Sequence, residues 1–273
     1  MNQTDPSRSG KELTTDELKQ SIVGIMDEIH AFCQEHDIPY YLMQGTLLGS
    51  VRHQGFIPWD DDLDIGMFRE DYEKFCKLFH SDKGYELRCI QNNKDYYLPF
   101  GKVIDTRTVL QEEVHTAKPI GAYVDVFILD HVEKGAPALT RYYKRSLTST
   151  LEDLRYMQLR KDRPIWKNAL ILAGHILYPR SIHKMAWDRD KRAQEVSFKD
   201  QTGWVSNLHS PWGDREVVPY SCFAERKEYP FEGRTYFGPA DFDTYLGTLY
   251  GDYMTPPPPE KQVTHHSFTV TWK

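Results

Sequence analysis

Apolar residues recur at helical spacing near the start of the chain, at Leu18, Ile22, Ile25, Met26, Ile29, Phe32 and Cys33. Thr14 and Glu17 ahead of them have capping-box spacing, so an amphipathic helix is predicted from there to about His36. Asp37 to Pro39 breaks it. Tyr40 to Gln44 reads as a strand, Gly45-Thr46 as its end, and residues 46–54 as a short helix stopped before Pro58. Tyr72, Phe75, Cys76 and Phe79 mark a second amphipathic helix over 69–82. Strands are predicted at 85–91, 100–105, 108–114 and 122–129. Short strands alternating with helices read as α/β or α+β. Residues 138–195 lack strand runs and are helix-compatible. From Trp204 short strands and turns return. Pro256 to Pro259 imposes an extended, polyproline-like segment. The expected organisation is a flexible tail over 1–12, a catalytic core over 13–134, a helical insertion over 135–200, and a part over 201–273 that completes the core and covers its cleft.

Composition narrows the class. With 40% apolar and 13% aromatic residues among 273, the chain can bury a core. A net charge of −6 argues against a general polyanion binder, so no nucleic-acid partner is expected. Cys33, Cys76, Cys89 and Cys222 form no CxxC pair, which points to reduced thiols in a cytoplasmic protein. The first eleven residues hold no apolar signal segment, and the longest apolar run, Asn168 to Pro179, is short of the ~20 residues that span a bilayer. Lys134 to Glu195 carries fourteen Lys or Arg against six Asp or Glu. That is an ordinary solvated face, or a platform for an anionic acceptor or membrane headgroups.

Against this background "GFIPWDDDLDIGMF" (Gly55 to Phe68) stands out, with Asp60, Asp61, Asp62 and Asp64 running into an apolar strand. Strand alternation puts Asp62 and Asp64 on one face, Leu63 and Ile65 on the other. Neighbouring carboxylates repel unless a cation sits between them, and hard ions such as Mg²⁺ take carboxylates together with phosphates. The ordinary alternative is an acidic turn. Asp125 is the lone charge in "AYVDVFIL" and should share a face with Tyr123 and Phe127, opposite Val124, Val126 and Ile128. A mid-strand carboxylate is costly to bury unless it ligates a metal or pairs with a cation such as Lys102. Asp105 and Asp130, at strand ends, rank lower.

These residues carry a resemblance. "YYLMQGTLLGSVRHQGFIPWDDDLDIGMFREDYEKF", "FGKVIDTRT", "YVDVFILD" and "YGDYMTPPP…THH" resemble the LicD family of phosphocholine and related phosphotransferases, distant relatives of the fukutin proteins. The likeness spans roughly residues 25 to 268. It implies an α+β fold with a polymerase-β-like nucleotidyltransferase mixed sheet, flanked by helices and carrying a helical insertion. It further implies a CDP-alcohol donor, most simply CDP-choline, and a glycan or lipid-linked glycan acceptor such as a teichoic acid, lipopolysaccharide or capsule precursor. CMP would leave, Mg²⁺ or Mn²⁺ would assist, and the enzyme would work in the cytoplasm or against the inner face of the cell membrane.

The expected ligands and catalytic acids are Asp62, Asp64 and Asp125. Gly45 and Thr46 would bring a helix N-terminus to phosphate. Arg52, His53 and Lys102 are candidate phosphate contacts, and Trp59 a candidate choline contact. His265 and His266 would belong to a C-terminal lid. Two other readings compete. One is a nucleotide-sugar glycosyltransferase using Asp62-Leu63-Asp64 as its DxD, although that motif comes too early for such a fold. The other is a non-catalytic member binding anionic glycan or membrane.

Overall fold

The computed structural model describes residues 9–134, 147–199, 201–263 and 269–273. Helix α1 (Thr15–Glu35) starts where the capping box predicts: the Thr14 hydroxyl accepts the Glu17 amide, and the Glu17 carboxylate accepts the Thr14 amide. Its apolar stripe is buried from Leu18 to Cys33 and lies against the central strands.

The sheet is mixed. Strands β1 (Tyr41–Leu42), β2 (Asp64–Phe68), β3 (Tyr85–Arg88), β4 (Gly101–Asp105) and β6 (Tyr123–His131) run in the order β1-β2-β6-β4-β3. β2 and β6 are parallel, and the other neighbours antiparallel. The far end of β6 pairs with β7 (Trp204–Ser206), which pairs with β8 (Val218–Pro219). Two ribbons complete the β-structure. One joins β5 (Thr108–Leu110) to β11 (Val270–Trp272), the other β9 (Arg226–Phe231) to β10 (Arg234–Pro239).

Four predicted strands are shorter than their apolar runs. β1 covers two of the five residues expected because Gln44 turns out of the sheet at φ 46° and opens helix α2 (Gln44–His53). The strands expected at 85–91 and 108–114 stop at Arg88 and Leu110, and β2 begins only at Asp64. Helix α3 (Arg69–Leu78) is the predicted second amphipathic helix, burying Tyr72 and Phe75. Gly49 is required inside α2: a Cβ there would lie 2.4 Å from the Gly55 carbonyl, where the chain doubles back toward the acidic segment.

Helices α4 (Leu147–Tyr156), α5 (Ile165–Leu177) and α6 (Ile182–Val196) lie in the described part of the basic region, and α7 (Phe242–Tyr250) follows the β9–β10 ribbon. Among the described residues no helix is long and apolar enough to cross a membrane. The architecture is a mixed sheet with helices, the α+β arrangement expected.

Candidate active site

The parallel register of β2 and β6 sets Asp64 beside Asp125. On β6 the alternation is visible in exposure. Val124, Val126 and Ile128 are fully excluded from solvent, whereas Tyr123, Asp125 and Phe127 retain 7–8% on the other face. Leu63 and Ile65 are likewise fully buried, and the Leu63 carbonyl accepts the Asp125 amide at 3.0 Å. The apolar members of the acidic stretch therefore pin its carboxylates from below.

Asp62 lies two residues ahead of β2, half-buried, rather than on the strand as expected. It still acts on Asp64. Burial first, then the charges of Asp62, Asp125 and Asp60, push the Asp64 carboxyl well above its usual range, with Lys102 pulling the other way. Asp60 comes in over Gly45, where a Cβ would meet its Oδ2 at 2.9 Å, so its carboxylate sits against the first turn of α2. An anion is favoured there by the helix dipole. The Thr46 hydroxyl accepts the Asp64 amide at 2.7 Å, so Thr46 joins α2 to the start of β2.

Lys102 stands opposite Asp125 across the β4–β6 ladder and donates to its Oδ1 at 2.7 Å. Its ammonium also lies 3.3 Å from the Tyr123 ring centroid and 3.7 Å from Glu112. The salt-bridged form of Asp125, the ordinary alternative in the sequence, is thus present. Among the described residues no three His, Cys, Asp or Glu side chains close on one point as a metal cage. The donor set is nonetheless all oxygen and strongly self-repelling at Asp64, which is the chemistry that a hard divalent cation relieves.

The remaining candidates are scattered. Arg52 and His53 occupy the last turn of α2, with roughly 10 Å of helix separating them from Thr46. Arg52 donates to the Tyr253 carbonyl at 2.7 Å, and His53 is exposed. No carboxylate of the cluster is among the causes that shift either side chain: burial lowers Arg52, and burial and Arg52 lower His53. Trp59 is partly buried against the main core. Asp105 accepts from Ser21 and Arg107, and Asp130 from Arg69, so both are engaged in structural pairs. His265 and His266 lie outside the described residues.

Other residues reach the site without a signal in the sequence. Burial first, then the charges of Glu216, Asp64, Asp60 and Asp62, push the Tyr250 phenol well up, so it lies within electrostatic reach of the cluster. Trp212 meets it edge-on at 5.0 Å. Gln44, at the head of α2, donates to Ser210 and to the buried Glu216, which also accepts from Tyr245 and Ser210. Burial raises the Glu216 carboxyl to about 7 against those hydrogen bonds.

Residues 37–156 match a family described as "LicD/FKTN/FKRP, nucleotidyltransferase domain". The chain is 28% identical over 263 residues to the lipopolysaccharide cholinephosphotransferase LicD of Haemophilus influenzae, covering 94% of this chain and 97% of that protein. An uncharacterized protein of Rickettsia typhi is 40% identical over 85 residues, 31% of this chain and 27% of that one. The ribitol-5-phosphate transferase FKTN of Homo sapiens is 35% identical over 69 residues, 25% of this chain and 13% of its own length. These matches identify residues 37–156, which hold the whole acidic cluster, as a domain of the LicD family.

Proposed function

We propose that the protein is a phosphotransferase that moves a phospho-alcohol, phosphocholine first among them, from a CDP-alcohol to a hydroxyl of a cell-surface glycan and releases CMP. The observation that carries this reading is the placement of Asp64 beside Asp125 on a parallel strand pair, with the charges of Asp60 and Asp62 acting on Asp64 and Lys102 bonded to Asp125. The near full-length likeness to a lipopolysaccharide cholinephosphotransferase supports choline as the carried alcohol and a lipopolysaccharide-type acceptor.

Asp64 and Asp62, with Asp125, would hold Mg²⁺. When bound, Mg²⁺ would neutralise charge on the pyrophosphate and on departing CMP. The acceptor hydroxyl attacks the distal phosphorus, a phosphorus–oxygen bond forms, and the bond to the CMP oxygen breaks. Asp125, oriented by Lys102, stands on the cluster's face either to take the hydroxyl proton or to join Asp64 as a ligand. Lys102 supplies the positive charge that phosphoryl transfer needs close by. Thr46 fixes the α2 N-terminus against Asp64. A quaternary ammonium binds aromatic faces, and the Trp212–Tyr250 pair, whose phenol feels the charges of Asp60, Asp62 and Asp64, is a candidate choline contact alongside Trp59.

The test is CMP release from a panel of CDP-alcohols, with Mg²⁺ and candidate glycans, by the full chain and by Asp64→Asn. Release by the native chain and its loss in the variant are expected. No CMP from any CDP-alcohol with acceptor present would overturn the assignment.

A further inference from the structure

Helix α5 has an exposed apolar outer face that no described residue covers. Its inner side is fixed: Ile171 is buried, Gly174 touches Leu154 of α4 so closely that a Cβ would lie 2.6 Å from the Leu154 Cβ, and the His175 ring stacks on His115 at 3.9 Å. On the other side Ile165, Trp166, Leu170, Leu172, Ile176 and Leu177 are all exposed, Ile165 by 87% and Leu177 by 70%. At 3.6 residues per turn these six fall within one arc of about 160°, and no charged residue interrupts it. A contiguous apolar face of this kind marks a binding surface.

Charge identifies what it meets. Lys161 and Arg163 precede α5, Lys167 lies in its first turn and Lys184 follows it; Arg160 and Arg180 lie there too but are paired, Arg160 with Glu113 and Arg180 with Asp188. Between residues 157 and 184 the only acid is Asp162, which pairs with Arg160. Lys161, Lys167 and Lys184 are exposed. Two copies of this face, meeting about a two-fold axis, would bring one positive rim against another. An anionic lipid surface meets both rims favourably and takes the apolar arc between them. With thirteen residues the helix is about 20 Å long, too short to span a hydrocarbon core of ~30 Å but suited to lie in the plane of the headgroups.

We propose that α5 is an in-plane anchor that docks the protein on an anionic membrane surface. Ile165, Trp166, Leu170 and Ile176 enter the headgroup–acyl boundary, and the flanking lysines contact lipid phosphates.

The experiment is co-sedimentation of the full chain, without substrate, with vesicles of phosphatidylglycerol and phosphatidylcholine in equal parts, and with pure phosphatidylcholine vesicles. Binding is expected to the anionic vesicles and to weaken with salt. Trp166→Ser/Ile176→Ser should bind at least about 10-fold more weakly, and Lys161→Glu/Lys167→Glu should also lose affinity, both with an unchanged melting temperature because the residues are exposed. Failure of the native chain to bind anionic vesicles at low salt would overturn the proposal, as would full binding by the double serine variant. A vesicle-independent dimer dissolved by Ile176→Ser would assign the face to a second copy instead. Because no turnover is read, failure here is separable from failure of the transferase reading.

Discussion

The Thr46 hydroxyl and the Asp64 backbone amide are 2.7 Å apart, and this single bond ties the first turn of α2 to the first residue of β2. Thr46→Val keeps the shape but leaves a buried amide without that acceptor. A loss of about 1–3 kcal/mol is expected, read from urea unfolding. CMP release should fall with it, and Thr46→Ser should restore both. Native stability in the valine variant would show that the bond positions nothing.

Asp64 is held in a field that disfavours its own charge. Asp64→Asn should therefore abolish turnover, by 100-fold or more on the scale of about 10²–10³ for lost electrostatic stabilisation, without lowering the melting temperature. Chelation by EDTA should do the same to the native enzyme, with recovery on adding Mg²⁺. A Mg²⁺-dependent rise in melting temperature should appear in the native chain and vanish in the variant. Undiminished turnover by the variant would remove Asp64 from the site.

Lys102 and Asp125 make a buried pair, so removing one partner strands the other. Lys102→Met should cost about 3–5 kcal/mol, and Lys102→Met/Asp125→Asn should recover part of that. The double-mutant cycle checks it. Additive losses would mean that the two residues do not depend on each other.

Glu216 gives a pH signature. Its carboxyl is raised to about 7 in the fold from an ordinary value of 4.5, so the folded chain holds the proton more tightly than the unfolded chain. Its contribution is complete below about 4.5 and is lost as pH rises through about 7. Native stability should decline from pH 5 to pH 8 relative to Glu216→Gln, by up to ~3 kcal/mol. Parallel melting curves for the two proteins across that range would contradict the assignment.

How much of this was legible in the sequence depended on whether a residue's role is local. The alternation in "AYVDVFIL" and "DLDI" survives because a strand has a period of two. Asp125, Leu63 and Ile65 accordingly take the faces expected of them. The capping box at Thr14 is equally local. For Arg52 and His53 closeness along the chain hides the length of a helix: they sit in the last turn of α2, at the end away from Thr46. The short β1 escaped notice because nothing in "YYLMQ" announces that Gln44 adopts a left-handed φ. Tyr250, Trp212 and Glu216 were beyond reach for another reason. Their chain segment returns to the cluster only through tertiary packing, and an isolated Tyr or Glu leaves no spacing to read.

The pairing of β2 with β6 bears on how this protein can change over generations. Asp64 belongs to the earlier strand and Asp125 to a strand some sixty residues later, and one step of slippage would set Asp64 opposite Val124 or Val126. Insertions in the turn between Thr116 and Pro119, outside every strand, leave that alignment alone. A single deletion inside β6 turns its carboxylate toward the core. Descendants of this chain can therefore lengthen their loops and exchange surface helices freely, but within these two strands residues can be substituted and not counted differently.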